Sequence, residues 1–255
     1  SAARTCERVG VPNKQALYLG MLAESLWTVG ESGAAIAALE EGAQAASALT
    51  LSHAFILLQL GQLDDAVAWL EQFVGGEPDP QRRAVARLGL ARAHAWSGRV
   101  ADARAQCDEA LAILEPTPVP RFVLPVRSMR NALDGKLDAL VETLDAIESA
   151  CAPYEFGEAV LDAGEALVEH DARGGLVARY LSIAGRAAHR GLRYRIEDLR
   201  ATLFERIGDN EGARECVQRS HHELDRLLDR MNDEYRERMA DHPWVKAIRR
   251  VRAVP

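Results

Sequence analysis

This sequence predicts an all-α chain built from tandem helical hairpins, and three observations lead there. The first is composition: 255 residues include 43 alanines and 28 arginines against three lysines, with aromatics at only 5%. Residues of this kind favour helix, and the strand-forming aromatic and β-branched types are too few for a sandwich or barrel. The second is a recurring spacing of alanine, six residues, glycine, four residues, alanine. It occurs as Ala23, Gly30 and Ala35, as Ala54, Gly61 and Ala66, as Ala91, Gly98 and Ala103, and as Ala201, Gly208 and Ala213. Chance would give roughly half an occurrence. The third is that each of these glycines follows an amphipathic stretch, the place where a left-handed residue caps a helix.

Each unit therefore reads as helix, glycine turn, helix, with the two alanines at a close crossing that larger side chains would overpack. Taken in order, residues 1–13 read as the remnant of a preceding helix or an N-terminal extension. The start Ser1-Ala2-Ala3, without methionine, suggests a piece of a longer protein with a vector-derived beginning, or N-terminal processing. Residues 14–210 carry the hairpins. Two weaker copies fill the gap between Gly98 and Gly208. Gly135 has Ser128 and Leu140 in place of the alanines, and a turn at Arg173 is flanked by Ala166 and Ala178. Turns at 30, 61, 98, 135, 173 and 208 give six hairpins, the last continuing to about 222.

Residues 211–240 place Val217, Leu224, Leu228, Met231, Tyr235 and Met239 on one stripe. The spacing predicts a single long amphipathic helix capping the last apolar face. Asp241 and Pro243 break it, and residues 241–255 read as a short terminal helix, Trp244–Arg252, and a tail. Arginines 226, 230, 236, 238, 249, 250 and 252 are interleaved with acids at helix-pairing distances, which reads as a self-paired solvated face.

The small residue, glycine turn and second alanine resemble the tetratricopeptide-repeat superfamily. The best copies are Leu51–Leu60 with Gln62–Val74 and Leu88–Ser97 with Arg99–Leu114. In the latter, Leu90, Ala91, His94, Gly98, Ala103, Cys107 and Ala110 fall at the apolar or small offsets and Pro116 closes the unit. Pro78 and Pro80 close the unit before it. Leu19, Thr50 and Arg87 replace the usual early aromatic. The resemblance implies a right-handed superhelical solenoid. The long, irregular repeats look most like those of bacterial multidomain transcriptional regulators and signalling ATPases or kinases.

Composition also excludes function classes. A net charge of -7 disfavours direct nucleic-acid binding. No uncharged apolar run is long enough for a membrane span. Cys6, Cys107, Cys151 and Cys216 are scattered without a CxxC pair, as expected of cytoplasmic thiols. Enzyme motifs fail one by one. His222-Glu223 has Arg226 where a zinc protease needs histidine, and Gly135-Lys136 lacks the upstream glycine of a phosphate loop. Gly30-Glu31-Ser32-Gly33 lacks a spacer for a nucleophile elbow, and Asp134-Gly135-Lys136-Leu137-Asp138 reads as a turn, not a calcium loop. No catalytic residue, metal site or cofactor is expected.

Function in such an architecture belongs to the concave face, lined by the first helix of each hairpin. Positions about three, six and ten residues before each turn select Trp27, Glu24 and Gly20, then Leu58, Phe55 and Leu51. They go on to select Ala95, Arg92 and Leu88, with Trp96 adjacent, and Glu205, Thr202 and Asp198, with Arg206 adjacent. Glu24, Trp27, Phe55, Arg92, Trp96, Thr202 and Arg206 are the candidate partner-binding residues. On that reading Arg92→Glu weakens partner binding at unchanged melting temperature. The expected function is a non-catalytic protein–protein interaction or regulatory module holding a protein or peptide partner. The alternatives are a domain that senses a small ligand by closing its superhelix, and self-association along Leu224, Leu228, Met231 and Tyr235.

Overall fold

The computed structural model describes residues 12–45, 51–170, 175–187 and 190–251. Among these the only regular structure is helix, without a strand. Six pairs of helices succeed one another: α1 (Pro12–Thr28) with α2 (Ser32–Ala45), α3 (Leu51–Gln59) with α4 (Leu63–Gly76), and α5 (Pro80–Trp96) with α6 (Val100–Leu114). Then come α7 (Pro120–Asp134) with α8 (Leu137–Ala150), α9 (Pro153–His170) with α10 (Gly175–Ala187), and α11 (Arg193–Arg206) with α12 (Asn210–Leu228). A 3-10 turn, Arg190–Leu192, precedes α11, and α13 (Asp233–Ala240) and α14 (Pro243–Val251) end the chain.

One turn geometry recurs because the glycine supplies it. Gly30, Gly61, Gly98, Gly135 and Gly208 all have φ between 66° and 82°. At each, the glycine N–H donates three residues back and the next N–H donates five back, as in Gly30 to Trp27 at 2.9 Å and Glu31 to Leu26 at 2.9 Å. This left-handed cap satisfies carbonyls that the helix end would otherwise leave unpaired.

The alanines around these turns are buried on both sides. Ala23, Ala54, Ala91 and Ala201 lie on the first helices, and Ala35, Ala66, Ala103 and Ala213 on the second. None is more than 4% exposed, and Ser128 and Leu140 at Gly135 are buried likewise. These small residues are therefore packing positions with no surface to offer a partner. The turn predicted at Arg173 lies outside the described residues. Its flanking Ala178 faces solvent, contrary to expectation, because Val177, Tyr180 and Leu181 carry the inward face of α10.

First helices touch first helices along the chain, α1 to α3, α3 to α5, α5 to α7, α7 to α9 and α9 to α11. The run of hairpins then meets its own beginning. Leu224, Leu227, Leu228 and Met231 pack in one core with Ala23, Trp27, Ala35, Ile36 and Leu39. Gly33 makes room: a Cβ there would lie 2.0 Å from the Arg230 carbonyl oxygen. Arg230 donates to the Gly30 carbonyl at 2.7 Å and pairs with Glu31 at 2.7 Å, and the Tyr235 hydroxyl bonds Glu40 at 2.9 Å. Gly30-Glu31-Ser32-Gly33 is the docking point for the C-terminal region.

Two expectations change here. The long helix over 211–240 is broken after Leu228. Asn232 accepts from the Tyr235 N–H at 3.0 Å to start α13, while Arg236 donates to the Leu228 and Met231 carbonyls at 3.2 and 3.1 Å. The break turns Met231 under the first hairpin. The stripe proposed for self-association is consequently covered from within the chain: Leu224, Leu228 and Met231 are buried and Tyr235 is half-buried.

Candidate functional site

The inward side chains of the first helices surround two cavities. The larger, about 820 Å³, lies between α5, α7, α9, α11 and α14. The smaller, about 330 Å³, lies between α1, α3, α5, α7 and α9. Glu24, Phe55 and Arg92 line the smaller one; Trp96, Thr202 and Arg206 line the larger. Six of the seven sequence-selected residues thus reach one inner region, as do Leu51, Leu58, Leu88, Ala95, Asp198 and Glu205 from the same counting rule.

Trp27 is the exception. Its ring is fully buried against Gly191, where a Cβ would come within 2.5 Å of the indole Nε1. The large indole fills the junction between α1 and the 3-10 turn, so Trp27 holds the two ends of the chain together and has no surface to offer a partner. Thr28, one residue on, faces the smaller cavity instead.

Arg92 also departs from expectation. It is only 8% exposed, and its partners are in the same chain. Its Nε and Nη2 both meet Asp162 Oδ2, at 2.9 and 2.7 Å, and Nη2 meets Glu158 at 3.2 Å. Burial opposes the charge on Arg92, but the two carboxylates outweigh it and hold the guanidinium protonated more firmly than usual. Arg92 faces the smaller cavity and Asp162 the larger, so this ion cluster is the partition between them. Replacing Arg92 with glutamate would set three carboxylates together in the interior, and the loss would be one of stability.

In the larger cavity, Trp96 on α5 and Trp244 on α14 both form wall. Between them lies Arg195 of α11, 2% exposed, its guanidinium 4.7 Å from the Trp96 ring centre and 4.4 Å from that of Trp244. Such face-on contacts stabilise a cation most where water is excluded. His242 packs against Trp96, and its Nδ1 accepts from the Trp244 N–H at 3.1 Å. Burial and the Arg195 charge push His242 down to about 3, so the imidazole is neutral. Across the cavity, burial and the Glu205 carboxylate push Asp198 up to about 6. In the smaller cavity, burial raises Glu24, opposed by a hydrogen bond with Ser52.

Cys107, beside the partition, is held by burial at about 12 and is a poor nucleophile. Among the described residues no group of three His, Cys, Asp or Glu is placed to hold a metal, and no helix is long and apolar enough to cross a membrane. His221 Nε2 lies 3.0 Å from the Ile248 carbonyl, tying α12 to α14.

Sequence reasoning missed Arg195, Trp244 and the acids of α9. Arg195 stands thirteen residues before Gly208, one step beyond the three-, six- and ten-residue rule. Glu158, Asp162, Glu165 and Glu169 recur every three or four residues on one face of α9. That stripe was readable, but the fifth turn has no glycine in register to count from. A separate row on α1, Leu17, Tyr18, Met21 and Leu22, is exposed to solvent. Compared with known proteins, the sequence matches no family model and no curated protein.

Proposed function

We propose that this chain is a non-catalytic regulatory binding module, a tetratricopeptide-like superhelix curved until its ends meet, which receives a segment of a partner protein on its inner face. The observation that supports this most is the convergence of six separately selected side chains, from four hairpins, on two adjoining cavities. Rigid helices hold each group in place, so recognition rests on preformed shape and charge. The likeness of the repeats to those of large bacterial regulators suggests a cytoplasmic module working beside a signalling or transcriptional domain.

Selection of random peptides displayed on phage tests this reading. Peptides enriched on the wild-type chain should bind more weakly to Thr202→Trp, which obstructs part of the larger cavity, while circular dichroism stays unchanged. Enriched peptides that bind Thr202→Trp equally well would place the partner elsewhere.

One observation favours a second reading, a sensor of small molecules. At about 330 Å³ the smaller cavity is of ligand size, with Phe55, Phe122 and Leu51 as apolar wall and Glu24 and Glu158 as polar groups. A thermal-shift screen of nucleotides, sugars and amino acids separates the two: a ligand whose stabilisation disappears in Leu88→Trp supports the sensor.

A further inference from the structure

We propose that the larger cavity takes a basic peptide segment, with an arginine or lysine head directed at Asp198 and Glu205 and its methylenes laid along Trp96 and Trp244. The inference rests on the peptide-binding reading above and specifies its chemistry.

Charge complementarity carries it first. The cavity presents Asp162, Glu165, Glu169, Asp198 and Glu205, against Arg206 as the only lining cation among the described residues. Arg206 is exposed and donates to the Glu169 main-chain carbonyl, which holds its charge at the rim. Arg92 is committed to Asp162 and Glu158. Glu165, Asp198 and Glu205 form no ion pair among the described residues, and although the buried Arg195 charge acts on Asp198, the acids outnumber the cations that face them.

The second observation is Arg195. The two indoles that form cavity wall already hold this guanidinium face-on, which shows that they suit an arginine-like group. Its Nε and Nη2 hydrogens have no acceptor among the described residues although the side chain is buried, a costly state for a charged donor. A peptide supplies both missing partners. Its basic side chain answers the carboxylates, and its main chain offers the carbonyl oxygens that Arg195 lacks. A simple polyamine supplies only the first.

Tryptophan emission and calorimetry on the full chain test this with four blocked tetrapeptides, whose central pairs are arginine, lysine, leucine or glutamate, and with spermidine. The arginine peptide should bind about tenfold or more tighter than the leucine peptide and weaken several-fold in high salt. Asp198→Asn with Glu205→Gln should remove about tenfold of that affinity without lowering the melting temperature. Arg195→Met should weaken the arginine peptide without weakening spermidine. Equal binding of the leucine or glutamate peptide, weakened by Thr202→Trp, would overturn the charge assignment while leaving the inner-face reading intact. Arginine-peptide binding that ignores the acid substitutions, spermidine binding as tight as the peptide's, or no binding by either basic peptide would overturn the proposal itself.

Discussion

The Ser32 hydroxyl donates to the Leu227 carbonyl at 2.7 Å, both groups buried, joining the first hairpin to the last across 195 residues. The bond sits where α2 begins, two residues after the Gly30 turn, and beside the close approach of Gly33 to Arg230. It marks the closure of the chain on itself. Ser32→Ala leaves the Leu227 carbonyl facing a methyl group, which should cost about 1–3 kcal/mol in urea unfolding. Gly33→Ala forces the Arg230 turn away and should cost more. Unchanged midpoints for both would mean that the ends do not meet in solution.

Gly61 and Gly208 share a turn conformation but not surroundings. A Cβ at Gly208 meets open space, whereas one at Gly61 lies 2.7 Å from the Cβ of His242. Gly208→Ala therefore carries only the left-handed backbone penalty, about 1 kcal/mol. Gly61→Ala adds a clash that must displace the start of α14, for a total of about 2–4 kcal/mol. Equal losses in thermal unfolding would contradict the seating of His242.

Arg92 is a structural cation. Arg92→Met takes the cation away from the buried Asp162 carboxylate and should destabilise by about 3–5 kcal/mol. The double change Arg92→Met with Asp162→Leu removes that buried charge as well and should recover much of the loss. A double-mutant cycle in denaturant measures the coupling, and simple additivity would show that the pair is not coupled.

His242 makes the fold sensitive to acid. Folded, its imidazole stays neutral down to about 3; unfolded, it takes up a proton below its ordinary 6.5. The stability tied to this group is complete above 6.5 and falls as pH drops towards 3, by at most about 1.4 kcal/mol per pH unit. Asp198 works in the opposite sense. Its folded carboxyl, at about 6 against an ordinary 3.8, binds the proton better than the unfolded chain does. Its contribution is complete below 3.8 and is lost as pH rises through about 6. The stability gap between wild type and His242→Asn should narrow on acidification below 6.5. Asp198→Asn should be most stabilising above about 6 and lose that advantage below about 4. Gaps that do not vary with pH would contradict both placements.

Glycine turns and buried alanines were legible in the sequence because each follows from local sterics: one left-handed residue, two small ones at fixed offsets. The inward positions of α3, α5 and α11 were legible for the same reason, being counted from those glycines. Trp27 was misplaced because its role depends on Gly191, far along the chain. Arg92 was misread because its carboxylate partners lie on α9, after which no glycine falls in register to count from. The break after Leu228 escaped the apolar pattern, which continues through Met231 and Tyr235 whether the helix is straight or folded back. Contacts that close the chain are long-range, and single-helix periodicity carries no record of them.

Hydrogen exchange read by mass spectrometry, on the full chain with and without the tightest peptide from selection, tests the inner-face account most directly. Binding there predicts added protection in α5, α9, α11 and α14. Protection confined to the row Leu17, Tyr18, Met21 and Leu22 on α1, or to the second helices of the hairpins, would contradict it.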